Sequence, residues 1–225
     1  MEGVNYIIFI CFALPFILGI PIVRRNTRII LLFILIGMCC CLFISEINGL
    51  LYRALNQDMF YITTNITPIT EEVIKTIPVL IFAIFISRER EELLTVAFMT
   101  GLGFALIENS TILVQTILAR SQIDIMWALI RTFGAGLLHS MCTTMVGIGI
   151  TFIKDHKKLF ICGTYALLSL AIVFHSVYNT LIQSEYKYLG AVLPLLTYIP
   201  LAVVLIMMHK NQEADREAEE LKPEK

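Results

Sequence analysis

Long apolar runs separated by short clusters of charged residues are the feature that most restricts how this chain can fold. Hydrophobic residues make up 57% of the 225 residues, whereas charged residues make up only 16%. A soluble domain of this length rarely has so apolar a composition. In lipid, each run must satisfy its backbone hydrogen bonds internally, so each run is expected to form a helix. The net charge of −1 gives no indication of nucleic-acid binding.

The runs predict an all-α, polytopic transmembrane bundle with about seven spans. The first run has no basic segment before it and no cleavage motif after it, so we interpret it as a mature helix and not as a signal peptide. A single transmembrane domain is therefore expected over residues 1–209, followed by a charged cytoplasmic tail over residues 210–225 that forms a solvated helix or a disordered end. The predicted spans are 4–23, 29–52, 67–87, 93–119, 125–153, 159–182 and 189–208.

Lysine and arginine are distributed unevenly between the loops, and this predicts the orientation. One set of alternate loops carries clusters near Arg24, Arg88 and Lys158, whereas the other set carries little more than Arg53 and Lys187. The positive-inside rule places the basic set in the cytoplasm, with the N-terminus outside and the C-terminus inside. The protein is thus expected to be a multi-pass protein of the cell membrane, and residues 54–66 form its longest outer loop.

Several ionisable residues lie inside the predicted spans, although a charge at the centre of a bilayer costs at least ~2.5–3.5 kcal/mol. The third span contains Glu71, Glu72 and Lys75, which occupy neighbouring positions on one helix face. Acids in a first helical turn also suit the helix dipole, so the glutamate pair alone has a structural explanation. A lysine one turn deeper favours a functional cluster, because an ammonium beside two carboxylates can hold one of them ionised.

The next three spans each place a polar group at a similar depth, in the outer half of the membrane. These groups are Glu108, His139 and His175. Each one alone is often structural, but together they predict a hydrated cavity among the third to sixth spans. The candidate catalytic residues are Glu71, Glu72, Glu108, His139 and His175, and the supporting residues are Lys75, Asn109, Arg131, Thr143 and Asn179.

Carboxylates and imidazoles in a hydrated membrane cavity suit peptide hydrolysis. A carboxylate can act as the general base toward water, and a histidine or a protonated acid can stabilise the oxyanion. Metal-dependent hydrolysis is also open, since His139, His175 and Glu108 could supply three ligands to a divalent ion such as zinc. The sequence contains no H-E-x-x-H motif, which would be the usual intramembrane zinc signature.

Four motifs on successive predicted helices resemble those of the PrsW family of intramembrane proteases. This family is a branch of a larger group that includes CAAX prenyl endopeptidases and bacterial immunity proteins. The resemblance covers a protease-like core at about residues 65–185. The motifs are Glu71-Glu72-x-x-Lys75, Phe104-x-x-x-Glu108-Asn109, His139-x-x-x-Thr143 and His175-x-x-x-Asn179.

The resemblance implies an intramembrane endopeptidase in which Glu71 and Glu72 activate the water and Glu108, His139 and His175 complete the site. It further implies a membrane-anchored protein substrate, such as an anti-sigma-factor-type regulator. Whether a metal takes part is left open by the sequence. A glutamate-dependent mechanism without metal is preferred at this point, because acids outnumber histidines and the usual zinc motif is absent.

Three alternatives belong beside this interpretation, and one of them is a non-catalytic membrane binding protein that has kept the cavity. A CAAX-prenyl-protease-like or immunity-type member of the wider group would carry E-E-x-x-x-R and F-x-x-x-H. Here Lys75 comes one residue earlier and Glu108 stands in place of that histidine. A non-proteolytic, proton-coupled transporter could use buried glutamate, histidine and lysine as a relay. Such a protein is expected to show inverted repeats with broken helices, and the sequence shows neither.

Overall fold

The computed structural model describes residues 2–120, 125–153 and 157–220, and every regular element in these ranges is helical. This confirms the all-α prediction. A π-helical turn, Ile62–Ile66, precedes α4, and a 3₁₀ turn, Thr151–Ile153, follows α6. The helices are α1 Glu2–Gly19, α2 Arg25–Leu55, α3 Met59–Tyr61, α4 Thr67–Phe85, α5 Arg90–Arg120, α6 Ile125–Ile150, α7 Lys157–Ile182 and α8 Lys187–Glu220.

The seven long helices follow the seven predicted spans in order, and α3 is the short additional helix. Four helices among the described residues, namely α2, α5, α6 and α7, are long and apolar enough to cross a membrane. Shorter apolar stretches lie in α1 and α8, and α4 carries three charged residues within its 19 residues. The protein is therefore a multi-pass membrane protein, whereas the number of spans and the orientation remain predictions.

One segment differs from the expectation. The predicted outer loop over residues 54–66 is largely helical, since only three residues separate α2 from α3 and the π-helical turn leads directly into α4. Asn56 ends α2 with a φ of 49°, in the left-handed region that asparagine tolerates better than most residues. At the other end, α8 continues to Glu220, because the charged tail is rich in strong helix formers and contains no glycine or proline before that residue.

Glycines bring α5 into backbone contact with the helices on either side. A Cβ atom added to Gly103 would lie 2.0 Å from the carbonyl oxygen of Ile34 in α2. A Cβ atom added to Gly101 would lie 2.3 Å from the carbonyl oxygen of His139 in α6. Close approach through glycine is common between membrane helices. The two contacts fix the height and rotation of α5, the helix that carries Glu108.

Candidate active site

The helix α4 is amphipathic in the inverse sense to a helix of a soluble protein. Its charged residues Glu71, Glu72 and Lys75 are buried, with exposed fractions of 4%, 1% and 0%. Its exposed face carries large apolar side chains such as Ile77 and Ile81. Because α4 packs against α2, α5, α6 and α7, the charged face points into the bundle and the apolar face is left for lipid.

An ion pair within α4 places a positive charge at the centre of the bundle. Nζ of Lys75 lies 2.7 Å from Oε1 of Glu72, and both side chains are fully buried. The same ammonium lies 3.0 Å from Nδ1 of His139 and 4.8 Å from the centre of the Phe104 ring. The i, i+3 spacing read from the sequence therefore corresponds to a direct contact, and Lys75 also bridges α4 to α6.

The imidazole of His175 is oriented by Glu72. Nδ1 of His175 lies 2.8 Å from Oε1 of Glu72. Since an ionised carboxylate only accepts, the ring donates from Nδ1 and keeps a lone pair on Nε2. Nε2 lies 3.7 Å from Oε2 of Glu71. The carboxylate of Glu72 thus fixes Nδ1 of His175, and Nε2 faces the centre of the site.

His139 is held in the same way by a different helix. Its Nε2 lies 2.7 Å from Oε2 of Glu108 on α5, so Nε2 donates and Nδ1 keeps the lone pair. Nδ1 lies 3.9 Å from Oε2 of Glu71. The His139 ring also packs edge-on against His175, with centroids 4.9 Å apart at 86°. The two imidazoles therefore converge on Glu71 from α6 and α7.

The residues at this centre fit a divalent metal ion. Glu71, His139 and His175 each offer a ligand atom, and these atoms lie within 4.8 Å of one another. Oε2 of Glu71 is buried and has no hydrogen-bond partner among the described residues. A carboxylate behind each ligating histidine is the usual outer shell of such a site. The expected ligand set had Glu108 in place of Glu71, but Glu108 lies against the far nitrogen of His139.

Thr143 and Asn179, two of the predicted supporting residues, stabilise helices and do not contact the ligand atoms. Oγ1 of Thr143 donates to the carbonyl of His139 in its own helix at 2.9 Å. Nδ2 of Asn179 donates to the carbonyl of Thr63 at 2.9 Å, which joins α7 to the π-helical turn. Ser176, which sequence reasoning did not single out, donates to the carbonyl of Thr64 beside it. These contacts hold the end of α7 against the start of α4.

Asn109 and Arg131 form the remaining predicted support. Nη1 of Arg131 donates to Oδ1 of Asn109 at 3.0 Å, and Nδ2 of Asn109 donates to the carbonyl of Thr132 at 3.3 Å. These hydrogen bonds join α5 to α6 at Asn109, one residue after Glu108. Tyr178 is also buried here, and its hydroxyl has no partner among the described residues. No feature of the sequence singles out Tyr178, because a tyrosine in an apolar span is common.

A cavity of about 820 Å³ opens beside the centre, at the end of the bundle formed by the π-helical turn and the α7–α8 connection. Glu108 lines this cavity, and its side chain is 23% exposed, whereas His139 and Glu71 are 1% and 5% exposed. Of these side chains, Glu108 is therefore the one through which the centre borders the cavity. Further lining residues are Thr63, Gln115, Trp127, Arg131, Asn179, Gln183 and Lys187.

A multi-pass helical bundle that buries carboxylates and histidines beside a cavity has the features expected of a membrane-embedded hydrolase. The chain belongs to the PrsW family, because the sequence model of that family, described as PrsW family intramembrane metalloprotease, matches residues 25–208. The protein is therefore an intramembrane protease. No curated protein and no solved structure matches the chain. The match is wider than the expected core of about residues 65–185, and the family description favours a metal over the metal-free mechanism preferred from the sequence.

Proposed function

We propose that this protein hydrolyses a peptide bond in or near the membrane segment of a membrane-anchored protein, with a water molecule activated at the centre formed by Glu71, His139 and His175. The observation that carries the proposal is the position of Glu71. Its Oε2 has no hydrogen-bond partner among the described residues and lies 3.9 Å and 3.7 Å from nitrogens of two imidazoles. Each imidazole is held by a carboxylate of its own.

Glu71, His139 and His175 are the residues that would hold a divalent metal such as zinc. A metal held there would polarise the scissile carbonyl and make a bound water more acidic. The structure supports this role through the donor set, because the ligand nitrogen of each histidine is the unprotonated one, and that of His175 has no hydrogen-bond donor against it among the described residues. The ammonium of Lys75 contacts Nδ1 of His139, the nitrogen that would bind the metal. The ammonium therefore has to move away before Nδ1 can act as a ligand.

Glu108 is suitably placed to accept the proton of the attacking water. It borders the cavity, and the hydrogen bond to His139 uses only its Oε2. The same carboxyl can return the proton to the amine of the leaving peptide, so that one water is consumed and an acid and an amine are formed. General acid–base catalysis of this kind contributes about 10²–10⁴-fold in rate.

Glu72 serves mainly to position its neighbours. Its Oε1 accepts from both Lys75 and His175, at 2.7 Å and 2.8 Å. The expectation that both glutamates of the pair activate the water is therefore refined: Glu71 stands at the reacting centre, while Glu72 orients His175 and balances the charge of Lys75. An ammonium held between these groups neutralises part of the negative charge that the site buries.

We further propose that the substrate is a single-pass regulator of the anti-sigma-factor type in the cell membrane. The family membership supports a membrane protein as substrate. The cavity beside Glu108 supports a cut near one end of the bundle, because peptide would reach the centre from that side. The predicted orientation makes this the extracytoplasmic end.

The proposal is tested with the full-length protein in detergent and a single-pass model substrate. We expect the Glu71→Gln and His175→Ala variants to lose at least about a hundredfold in kcat/KM. Glu46→Gln is the matched control, since Glu46 accepts from the hydroxyl of Tyr6 at 2.8 Å and lies outside the centre. Undiminished cleavage by Glu71→Gln would refute the site.

Chelation separates the two hydrolytic mechanisms. Dialysis of the wild-type protein against a chelator should abolish cleavage, and zinc should restore it. Metal analysis should find one equivalent in the wild type and less in His175→Ala. Full activity of a metal-free preparation that still depends on Glu71 would instead establish the glutamate-dependent mechanism.

A further inference from the structure

The cavity beside Glu108 contains two cations that pair with no carboxylate in the described part of the chain. Arg131 and Lys187 both line it. Nη1 of Arg131 is bound to the amide oxygen of Asn109 at 3.0 Å, which leaves the guanidinium charge uncompensated by that contact. Its remaining N–H groups are donors that match a carboxylate or a phosphate. The single acid among the described lining residues, Glu108, is hydrogen-bonded to His139 through Oε2, and although the charge of Arg131 acts on it, the two form no direct ion pair.

Lys187 is held at the mouth of the cavity by aromatic rings. Its Nζ lies 5.0 Å from the centre of the Trp127 ring and 5.3 Å from that of Tyr188. Cation–π contacts orient an ammonium without neutralising it. The two rings also meet edge to face, with centroids 5.4 Å apart. The lysine is therefore fixed as a positive charge at the cavity entrance.

The walls between the cations can accommodate a peptide. Thr63 donates to Oε1 of Gln183 at 3.1 Å, and Gln183 donates to the carbonyl of Asn179 at 3.1 Å. Gln115 adds a further amide, and Ile112 and Leu113 add apolar surface. Amide and hydroxyl groups on such walls can bond to an extended backbone, and the volume of about 820 Å³ lies within the range of ligand-binding clefts.

We propose that this cavity binds the segment of the substrate next to its membrane span and selects an acidic residue there, through Arg131 and Lys187. This inference rests on the proposed function and names the substrate feature that the same site recognises. A peptide is favoured over the phosphate of a lipid because Glu108 lines the same cavity. A molecule bound in the cavity would lie against Glu108 and the centre beside it, where the proposed function requires the substrate peptide.

The test compares three single-pass substrates that are identical except at one position next to the membrane span. That position is glutamate, glutamine or lysine. The full-length enzyme is placed in nanodiscs of phosphatidylcholine, which has no net charge. We expect kcat/KM for the glutamate substrate to exceed that for the lysine substrate roughly tenfold. Lys187→Glu should reverse this preference, Lys187→Arg should keep it, and Arg131→Gln should reduce it.

Lys158→Gln is the matched control, because Lys158 is an exposed lysine near the start of α7, at the other end of the bundle. It should leave the preference unchanged, and thermal unfolding should show that the variants are folded. Equal cleavage of the three substrates by the wild type, together with inactivity of Glu71→Gln, would overturn this inference and leave the proposed function intact. The inference would also be overturned if kcat/KM changed when phosphatidylglycerol was added to the nanodiscs but did not depend on the acidic residue of the substrate.

Discussion

Nδ1 of His139 lies 3.0 Å from the ammonium nitrogen of Lys75, inside a part of the bundle that solvent does not reach. The ammonium can only donate, so Nδ1 accepts and the proton of the imidazole resides on Nε2, where Glu108 accepts it. The lone pair that a metal would require is thus the one that Lys75 uses. Lys75 is the cation that pairs with Glu72, and a bound metal would supply further positive charge at the same centre.

Removal of the Lys75 charge should destabilise the bundle. Lys75→Met keeps the volume but leaves Glu72 as an uncompensated buried carboxylate, which costs about 3–5 kcal/mol. We expect a clear drop in the apparent melting temperature in detergent. The double variant with Glu72→Gln should lose less than the sum of the two single variants, because the two side chains form one ion pair. Strict additivity would show that the pair is not coupled.

Loss of the carboxylate behind His139 should weaken metal binding without removing a ligand. Glu108→Gln replaces an acceptor that fixes the imidazole at 2.7 Å, and such changes typically cost about 10–100-fold in metal affinity. Titration of the chelator-treated protein with zinc measures the effect. Glu46→Gln should bind zinc as the wild type does. An unchanged affinity in Glu108→Gln would contradict the orienting role of this carboxylate.

A methyl group at Gly101 should disturb the site from a distance. The added Cβ would meet the carbonyl oxygen of His139 at 2.3 Å, so α5 and α6 must separate and the bond between Glu108 and His139 must lengthen. We expect Gly101→Ala to lose both stability and activity. Gly136→Ala is the control, since a Cβ at Gly136 has nothing within 4 Å. Similar melting temperatures and rates in the two variants would show that the contact is not tight.

The orientation can be tested by labelling introduced cysteines in intact cells. We expect a cysteine at Ser184, in the α7–α8 connection, to react with a membrane-impermeant thiol reagent. A cysteine at Ser87, between α4 and α5, should react only after permeabilisation, because the positive-inside rule places that loop in the cytoplasm. The protein without an introduced cysteine is labelled in parallel, and its signal, which comes from the six native cysteines, is subtracted. The opposite pattern would reverse the predicted topology.

Sequence reasoning could identify the members of the centre because helix periodicity and span depth are local properties. The spacing of Glu71, Glu72 and Lys75 predicted one face, and the depths of His139 and His175 predicted their convergence. It could not predict which carboxylate meets which histidine. That choice depends on the rotation of α5 and α6 about their axes, which tertiary contacts such as those of Gly101 and Gly103 determine.

The cavity residues were harder to recognise for a different reason. Lys187, Trp127 and Gln183 lie near helix ends, where cations, tryptophan and amides are common at any membrane interface. Their relation appears only when α6, α7 and α8 are packed together. Arg131 was found from its depth in an apolar run, but its partner Asn109 could not be deduced from spacing, because the two residues lie on different helices.

The inverted character of α4 also has a consequence for biosynthesis. A helix that exposes isoleucines and buries two glutamates and a lysine has no stable position in lipid by itself, since each charge costs ~2.5–3.5 kcal/mol at insertion. Glu72 and Lys75 pair within α4, but the histidines that contact these groups, His139 and His175, are translated roughly 65–100 residues later. We therefore expect α4 to reach its final position only after α6 and α7 have been inserted. Assembly of the candidate centre is thus coupled to the packing of the helices that contain it.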